Sequence, residues 1–78
     1  MKSKPLIFTT PNCVYCKMTK GFFKTHGIEY DEKDVSADQN AAIEMIEKSG
    51  QRGVPVIQVG DQIVVGFDQP ALEQLLGL

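Results

Sequence analysis

The sequence PLIFTTPNCVYC, residues 5–16, contains both cysteines of the chain, Cys13 and Cys16, three positions apart. Its first half is a short apolar segment, and residues 17–26 have the pattern of a helix. The sequence therefore predicts a β-strand that delivers a C-x-x-C pair to the first turn of a helix. The rest of the predicted fold is arranged around this strand-to-helix connection.

A helix N-terminus favours the ionised form of the first cysteine. The first four backbone N–H groups of a helix have no partner within the helix, and the helix dipole is positive there. We therefore expect the pKa of Cys13 to lie below the ~8.5 of a free cysteine, an effect known for C-x-x-C motifs. Cys16, one turn later, is expected to face inward within disulfide reach. Cys13 would then be the attacking sulfur and Cys16 the resolving sulfur.

Two other interpretations of the cysteine pair are less well supported. A zinc site needs about four nitrogen or sulfur ligands, whereas this chain offers two cysteines and a single histidine, His26. A metal or cluster would therefore have to be shared with another molecule, and no metal site within the chain is predicted. A structural disulfide would close a very small loop and gain little entropy. Redox chemistry is the favoured interpretation, and the strand-to-helix setting supports it.

Composition excludes several classes of function. The 78 residues predict one domain, 1–78, near the lower size limit for a self-sufficient core. The net charge of -2 provides no broad basic surface for nucleic acid, and no apolar run approaches the ~20 residues of a membrane span. The charged first residues are not followed by the apolar segment of a signal peptide. We expect a cytoplasmic location, where a C-x-x-C pair is more often catalytic than structural.

The order of the predicted elements is β-α-β-α-β-β-α. The first β-α-β unit must be parallel and right-handed, and the final hairpin around Gly60-Asp61 must be antiparallel. A four-stranded mixed sheet with helices on both faces, an α/β fold, satisfies both conditions. Cys13 then lies at the carboxyl end of a central strand, where α/β folds usually place their sites. The predicted strands are 5–9, 28–35, 54–59 and 62–66, and the predicted helices are 13–25, 36–49 and a last one that starts at 67–70.

Caps and apolar faces give more detailed expectations. Asn12 or Thr10 is expected to cap the first helix, and the S-x-x-Q sequence from Ser36 to Gln39 predicts a capping box for the second. The charged segment Asp31–Asp34 is interpreted as a solvated edge, and His26 as a surface or capping residue. The side chains expected to face inward are Met18, Phe22 and Phe23 in the first helix, Ala42, Met45 and Ile46 in the second, and Leu72, Leu75 and Leu76 in the third.

Three motifs, F-T-T-P-N-C-V-Y-C, G-V-P-V and V-G-F-D, give the chain a resemblance to the glutaredoxins of the thioredoxin-like superfamily. The resemblance covers almost the whole chain and implies the thioredoxin-like fold. It implies a thiol–disulfide oxidoreductase in which Cys13 forms a mixed disulfide with glutathione or a protein, and Cys16 resolves protein disulfides. Glutathione would be a co-substrate, with no tightly bound cofactor.

The resemblance also implies a glutathione site. Tyr15 matches the tyrosine of the family's C-P-Y-C and would flank the tripeptide, and the Val54 backbone, turned by a cis bond to Pro55, would pair with its cysteine. The turn that ends at Asp68 would hold the γ-glutamyl end, although Asp68 is also explained as a simple helix cap, and the two roles are compatible. The residues implied to bind glutathione are Thr10, Tyr15, Arg52, Gly53, Val54, Pro55, Gly66, Phe67 and Asp68.

Departures from the family pattern leave other functions open. Thr10 stands where many glutaredoxins carry a lysine near the glycine carboxylate, and Arg52 or Gln51 is the proposed substitute. Val14 stands where the family usually has proline, and Val65 stands where it has the first glycine of a Gly-Gly pair. Gln69 stands where the family has a second acidic or serine residue after the turn. The Gly66-Phe67 pair also resembles the turn of NrdH-type redoxins, which are reduced by thioredoxin reductase.

The alternatives to a glutaredoxin are therefore an NrdH-like redoxin and a non-enzymatic carrier in which two chains and two glutathiones hold an iron–sulfur cluster. The expected partners are glutathione, thioredoxin reductase for the redoxin alternative, and disulfide-containing or glutathionylated proteins, ribonucleotide reductase and other reductases among them. Nucleic acid and membranes are not expected partners, and the chain is expected to be a monomer.

Overall fold

The computed structural model describes residues 4–78 of the chain. Residues 1–3 of the predicted domain 1–78 lie outside the described residues. The elements follow the predicted order, and no helix in residues 4–78 is long and apolar enough to cross a membrane. They are β1 (Leu6–Thr9), α1 (Val14–Thr25), β2 (Asp31–Asp34), α2 (Gln39–Ser49), β3 (Val56–Val59), β4 (Gln62–Val65) and α3 (Gln69–Leu76).

The four strands form one mixed sheet in the order β2-β1-β3-β4. β1 runs parallel to β2 and antiparallel to β3, and β3 and β4 form an antiparallel hairpin. The hairpin turns at Gly60-Asp61, where Gly60 has a φ of 60°, a conformation that glycine adopts at little cost. The predicted α/β fold with a four-stranded mixed sheet is thus confirmed.

Neighbouring residues of β1 point to opposite faces of the sheet, and each face is covered by helices. Ile7 packs with Phe23 of α1 and Leu72 of α3, whereas Phe8 packs with Met45 of α2. All of these side chains are buried. α1 and α3 therefore cover one face and α2 covers the other, so the central strands β1 and β3 are buried on both sides.

The second strand is shorter than predicted. β2 begins at Asp31, not at Ile28, because only Asp31–Asp34 pair with the four residues of β1. Ile28 and Tyr30 pack against the α1 and α3 core on the way into the strand. β2 lies at the edge of the sheet and its side chains are mostly exposed, so the interpretation of this segment as a solvated edge is confirmed.

The inward face of α1 is rotated from the predicted one. Met18 is 47% exposed, whereas Thr19 is fully buried with Phe22 and Phe23. The stripe begins at Cys16 and continues at helical spacing through Thr19, which leaves Met18 to one side. Burial of the Thr19 hydroxyl is tolerated because it donates a hydrogen bond of 2.9 Å to the carbonyl of Tyr15.

The cap and the inward face of α2 also differ from the prediction. Asp38 caps the helix, since its Oδ1 accepts a hydrogen bond from the Ala41 N–H at 3.2 Å. Ser36 lies in the preceding turn, where its N–H and hydroxyl donate to the Asp34 carboxylate. The N-cap is thus two residues later than the predicted Ser36, and the buried positions of the helix are Ala41 and Met45. The other residues predicted to face inward are only half-buried, as Ala42 is, or 37% exposed, as Ile46 is.

Candidate active site

The first turn of α1 brings the cysteine pair to the end of β1. A turn follows the strand, in which the Cys13 N–H donates to the Thr10 carbonyl at 3.4 Å, and Pro11 restricts φ within it. Cys13 has an extended conformation, with φ -91° and ψ 114°, and occupies the N-cap position. The prediction of Asn12 or Thr10 as the cap is wrong, because the turn ends at Cys13 and leaves both of them outside the helix.

Cys13 caps the helix through its own sulfur. Its Sγ accepts a hydrogen bond from the backbone N–H of Cys16 at 3.1 Å. The sulfur therefore lies at the positive end of the helix dipole and receives one of the N–H groups that have no partner within the helix. Such a position stabilises a negative charge on the sulfur, which is the form that attacks disulfides.

The two sulfurs differ in exposure. Cys13 is half-buried, whereas Cys16 is completely buried, with a relative exposure of 0%. The structure holds them in a disulfide with Cα atoms 5.1 Å apart, inside the usual range for a disulfide. A substrate approaching from solvent reaches the Cys13 sulfur first, which fits the predicted division into attacking and resolving cysteine.

The register of the sheet brings other predicted site residues to the same end. Phe8 pairs with Val56, so continuing the antiparallel register places Thr10 opposite Val54. On the other side of β3, the Gly66 N–H donates to the Pro55 carbonyl at 2.8 Å. The peptide bond between Val54 and Pro55 is cis, as the resemblance implied. Both loops therefore lie at the end of the sheet from which the chain continues to Cys13.

The turn into α3 combines a glycine of positive φ with a helix cap. Gly66 has a φ of 77°, in the region that other residues adopt at a cost. Asp68 is the N-cap of α3, and its Oδ1 accepts from the Ala71 N–H at 3.2 Å. The ring of Phe67 packs edge-on against Phe22, with centroids 6.0 Å apart. Phe67 therefore anchors the turn in the core, and the exposed Asp68 carries the polar group of this loop.

Two exposed cations lie near the site in sequence. Lys17 is four residues after Cys13 in α1, and Arg52 lies in the loop before Val54. Within residues 4–78, neither makes an ion pair. The first turn of α1 contains no acidic residue, and Val14 and Tyr15 are 67% and 61% exposed there. The first turn of α1 therefore presents apolar side chains and no negative charge beside Cys13.

A polar pocket of about 390 Å³ lies on the β2 side of the Cys13 loop. Lys20 and Glu32 form an ion pair of 2.7 Å in its wall. Hydrogen bonds from the side chain and then the backbone of Ser36 lower the pKa of Asp34, so the Asp34 carboxyl is ionised at neutral pH. With one lysine against two carboxylates, this wall does not favour an anion. The lining residues are Thr9, Thr10, Pro11, Lys20, Glu32 and Asp34.

Sequence reasoning missed this pocket. Thr10 is the one predicted site residue that lines it, and the charged residues come from α1 and β2, where the sequence assigned them no role in a site. His26 lies at the far end of α1, where its ring packs against that of Phe22 with centroids 4.6 Å apart and the planes tilted by 58°. No group of three or more histidine, cysteine, aspartate or glutamate side chains within residues 4–78 is arranged to hold a metal ion.

Comparison with known proteins gives consistent matches. The model of the glutaredoxin family matches residues 6–64, which run from the start of β1 into β4 and contain both cysteines. A glutaredoxin from Neisseria meningitidis is 42% identical over 74 residues, which are 92% of this chain and 87% of that protein. An uncharacterized glutaredoxin-like 8.6 kDa protein in the rubredoxin operon of Clostridium pasteurianum is 37% identical over 70 residues, 90% of this chain and 93% of that protein. The structure of the glutaredoxin-like protein NrdH-redoxin from Escherichia coli matches with a TM-score of 0.82 and 27% identity, covering 94% of this chain and 95% of that chain.

Proposed function

Because the chain belongs to the glutaredoxin family, whose general activity is thiol–disulfide exchange, we propose that it uses glutathione to reduce protein disulfides and glutathione mixed disulfides. The observation that supports this most directly is the pair of unequal sulfurs at the start of α1. The Cys13 sulfur is accessible and accepts the Cys16 N–H, and the Cys16 sulfur is buried beside it.

The proposed reaction begins with the reduced protein. The Cys13 thiolate attacks one sulfur of the substrate disulfide, the substrate S–S bond breaks, and the departing thiolate takes up a proton. Cys16 then loses its proton and attacks the Cys13 sulfur of the mixed disulfide. The second substrate thiol leaves, and the Cys13–Cys16 disulfide remains, which is the state that the structure shows. Two electrons have passed from the dithiol to the substrate.

Reduction of that disulfide requires an electron donor, which we propose is glutathione. One glutathione thiolate attacks the Cys13 sulfur and releases the Cys16 thiolate, which takes up a proton. A second glutathione thiolate attacks the glutathione sulfur of the mixed disulfide, which forms glutathione disulfide and releases the Cys13 thiolate. The Val54 backbone would pair with the glutathione cysteine, and the exposed carboxylate of Asp68 would pair with the α-amino group. The end-of-sheet position of both residues supports this proposal.

Specific features favour a second donor, thioredoxin reductase. Thr10 provides no positive charge for the glycine carboxylate of glutathione, and the pocket that it lines contains Glu32 and Asp34. The E. coli NrdH-redoxin, whose fold this chain shares, is described as having a thioredoxin-like activity profile. A redoxin with this donor would use the same two cysteines, so the alternatives differ in what reduces the protein and not in its chemistry.

The proposed substrates are disulfide-containing or glutathionylated proteins, with ribonucleotide reductase among the candidates. The cytoplasm is the proposed location, because its reducing conditions keep a catalytic dithiol available.

The donor is identified by measuring reduction of a glutathione mixed disulfide in two coupled assays. One assay supplies glutathione and glutathione reductase, and the other supplies thioredoxin reductase. Turnover only in the first supports the proposed glutaredoxin, and turnover only in the second supports the redoxin. Cys13→Ser is the inactive control in both.

Absence of turnover by the wild-type protein in both assays would contradict both oxidoreductase proposals. It would favour the cluster carrier, which is checked by the visible absorbance of protein purified without oxygen. An iron–sulfur chromophore that is lost in Cys13→Ser would support that function.

A further inference from the structure

The two edges of the sheet differ in their chemistry. Every residue of the edge strand β2, Asp31–Asp34, is charged, whereas the edge strand β4, Gln62–Val65, carries no charge and contains three β-branched apolar residues. Charged side chains on an edge strand discourage pairing with another strand. The β2 edge is protected in this way, and the β4 edge is not.

The backbone of β4 has groups available for pairing. Val59 pairs with Gln62 next to the two-residue turn, and Gly66 donates to Pro55 at the other end of the hairpin. Since inward and outward bonding alternate along an antiparallel strand, the N–H and C=O groups of Ile63 and Val65 point away from β3. Within residues 4–78 no strand lies beyond β4. The edge therefore presents an alternating set of unpaired donors and acceptors.

Exposed apolar side chains lie beside these groups. Val65 is 47% exposed and pairs with Val56, so it lies on the face of the sheet that α2 covers. On α2, Glu44 forms an ion pair with Lys33 of β2, so it faces the β2 edge of the sheet. Ile46 is two residues later, about 200° further round the helix, and therefore faces the opposite edge, that of β4. Ile46 is 37% exposed. We call Ile46, Ile63 and Val65 the β4 strip.

We propose that the β4 strip is a dimer interface in which β4 pairs antiparallel with β4 of a second copy of this chain. Val64 lies on the two-fold axis, and Ile63 of each copy is opposite Val65 of the other. This register places outward-pointing groups opposite each other, so each Ile63–Val65 pair exchanges an N–H···O bond in both directions. The four-stranded sheet becomes continuous across the dimer.

Charge and symmetry identify a second copy as the occupant. A neutral strand paired with itself brings no like charges together, and the Ile46 sides of the two α2 helices meet above the joined sheet. Pairing β4 with β2 of another copy would desolvate a fully charged strand and would leave free edges that continue the assembly. The symmetric pairing uses the one uncharged edge of each copy and closes.

The dimer is compatible with the chemistry and does not depend on the proposed function. Cys13 lies at the end of the sheet near Thr10 and Gly66, beyond the end of β4. Antiparallel pairing of two β4 strands places the two active sites at opposite ends of the joined sheet. Both sites therefore remain open to substrates.

Sedimentation velocity of the full chain from micromolar to millimolar concentration tests the proposal. We expect a monomer–dimer equilibrium with a dissociation constant that Val65→Lys raises by about tenfold or more, because a lysine would be desolvated against Ile63 of the second copy. Thr25→Lys, which also introduces a lysine but on an exposed site of α1, should leave the constant unchanged. If Val65→Lys fails to fold, Ile46→Glu on the surface of α2 provides the second test.

Hydrogen exchange measured at low and high protein concentration tests the register. The amides of Ile63 and Val65 should exchange more slowly as the dimer forms, whereas those of Gln62 and Val64, which already bond to β3, should not respond. A protein that stays monomeric throughout, as the family resemblance led us to expect, would overturn the proposal. So would a dimer that both Val65→Lys and Ile46→Glu leave intact, because its interface would lie elsewhere.

Discussion

The sulfur of Cys13 accepts a hydrogen bond from the backbone N–H of Cys16, with the sulfur and nitrogen 3.1 Å apart. The attacking residue is thus also the cap of the helix that carries the resolving residue. A hydrogen bond to an ionised acceptor is roughly twice as strong as one between neutral groups. Reduction and ionisation of Cys13 should therefore strengthen the cap and keep the thiolate in place.

The exposure of the two sulfurs predicts unequal reactivity after reduction. Iodoacetamide should modify Cys13 well before Cys16, because Cys16 is completely buried. Mass spectrometry of peptides at successive times measures the order. Modification of both cysteines at the same rate would contradict the assigned roles.

Serine substitutions separate the two steps of the proposed reaction. Cys13→Ser should abolish turnover of every substrate, because the only other cysteine, Cys16, is completely buried. Cys16→Ser should retain reduction of glutathione mixed disulfides, which needs only Cys13, and lose reduction of protein disulfides. Each variant is assayed with both substrates, and equal loss in the two variants would show that the roles are wrongly assigned.

Asp68 has two candidate roles that substitutions distinguish. Asp68→Ala removes the acceptor for the Ala71 N–H and should cost about 1 kcal/mol of unfolding free energy. Asp68→Asn keeps an acceptor oxygen and should cost less. If the carboxylate binds the α-amino group of glutathione, both variants should raise the KM for glutathione. An unchanged KM in Asp68→Asn would mean that Asp68 acts only as a helix cap.

The sequence was sufficient for the order of the elements and for the cysteine pair. Apolar runs and turn residues predicted the order of the strands and helices, although β2 is shorter than predicted and contains only charged residues. The spacing of Cys13 and Cys16 predicted an inward-facing second sulfur, which the structure confirms. These features depend on local pattern and on topology, both of which can be read along the chain.

Caps and helix phase were predicted less well because they depend on where the chain turns. Cys13 and Asp38 are the caps, in place of Asn12 and Ser36, since each is the last extended residue before its helix. The buried position of Thr19 depends on a hydrogen bond to its own helix, which hydrophobicity does not predict. The pocket beside Thr10 joins residues from three segments, and no single motif indicates it.

A lysine at position 10 is expected to improve the use of glutathione. If the missing lysine weakens glutathione binding, Thr10→Lys should lower the KM for glutathione several-fold by placing an ammonium group beside the pocket of Glu32 and Asp34. Thr10→Met, which has similar length and no charge, is the matched control. A KM that falls equally in both variants would indicate a packing effect, and a KM that falls in neither would show that Thr10 is not near the glycine carboxylate.

The ion pairs of Glu44 are expected to stabilise the fold in a pH-dependent way. Its carboxylate lies 2.7 Å from Lys33 of β2 and 2.9 Å from Lys48 of α2. Hydrogen bonds from Lys33 and then from Lys48 lower the pKa of Glu44 in the folded protein. A lowered carboxyl pKa stabilises the fold above the pKa of the unfolded chain, about 4.3, and this stabilisation is lost as the pH falls through the folded value.

Glu44→Gln should therefore unfold more easily than the wild type near neutral pH, by up to about 1 kcal/mol because the pair is partly exposed. The difference should shrink toward zero at about pH 3, where the wild-type carboxyl is increasingly protonated. Urea unfolding followed by circular dichroism measures it at both pH values. Glu47→Gln, an exposed residue of the same helix with no ion pair in residues 4–78, is the control. A constant difference at both pH values would mean that the effect of Glu44 comes from packing or helix propensity, because only a charge interaction disappears with protonation.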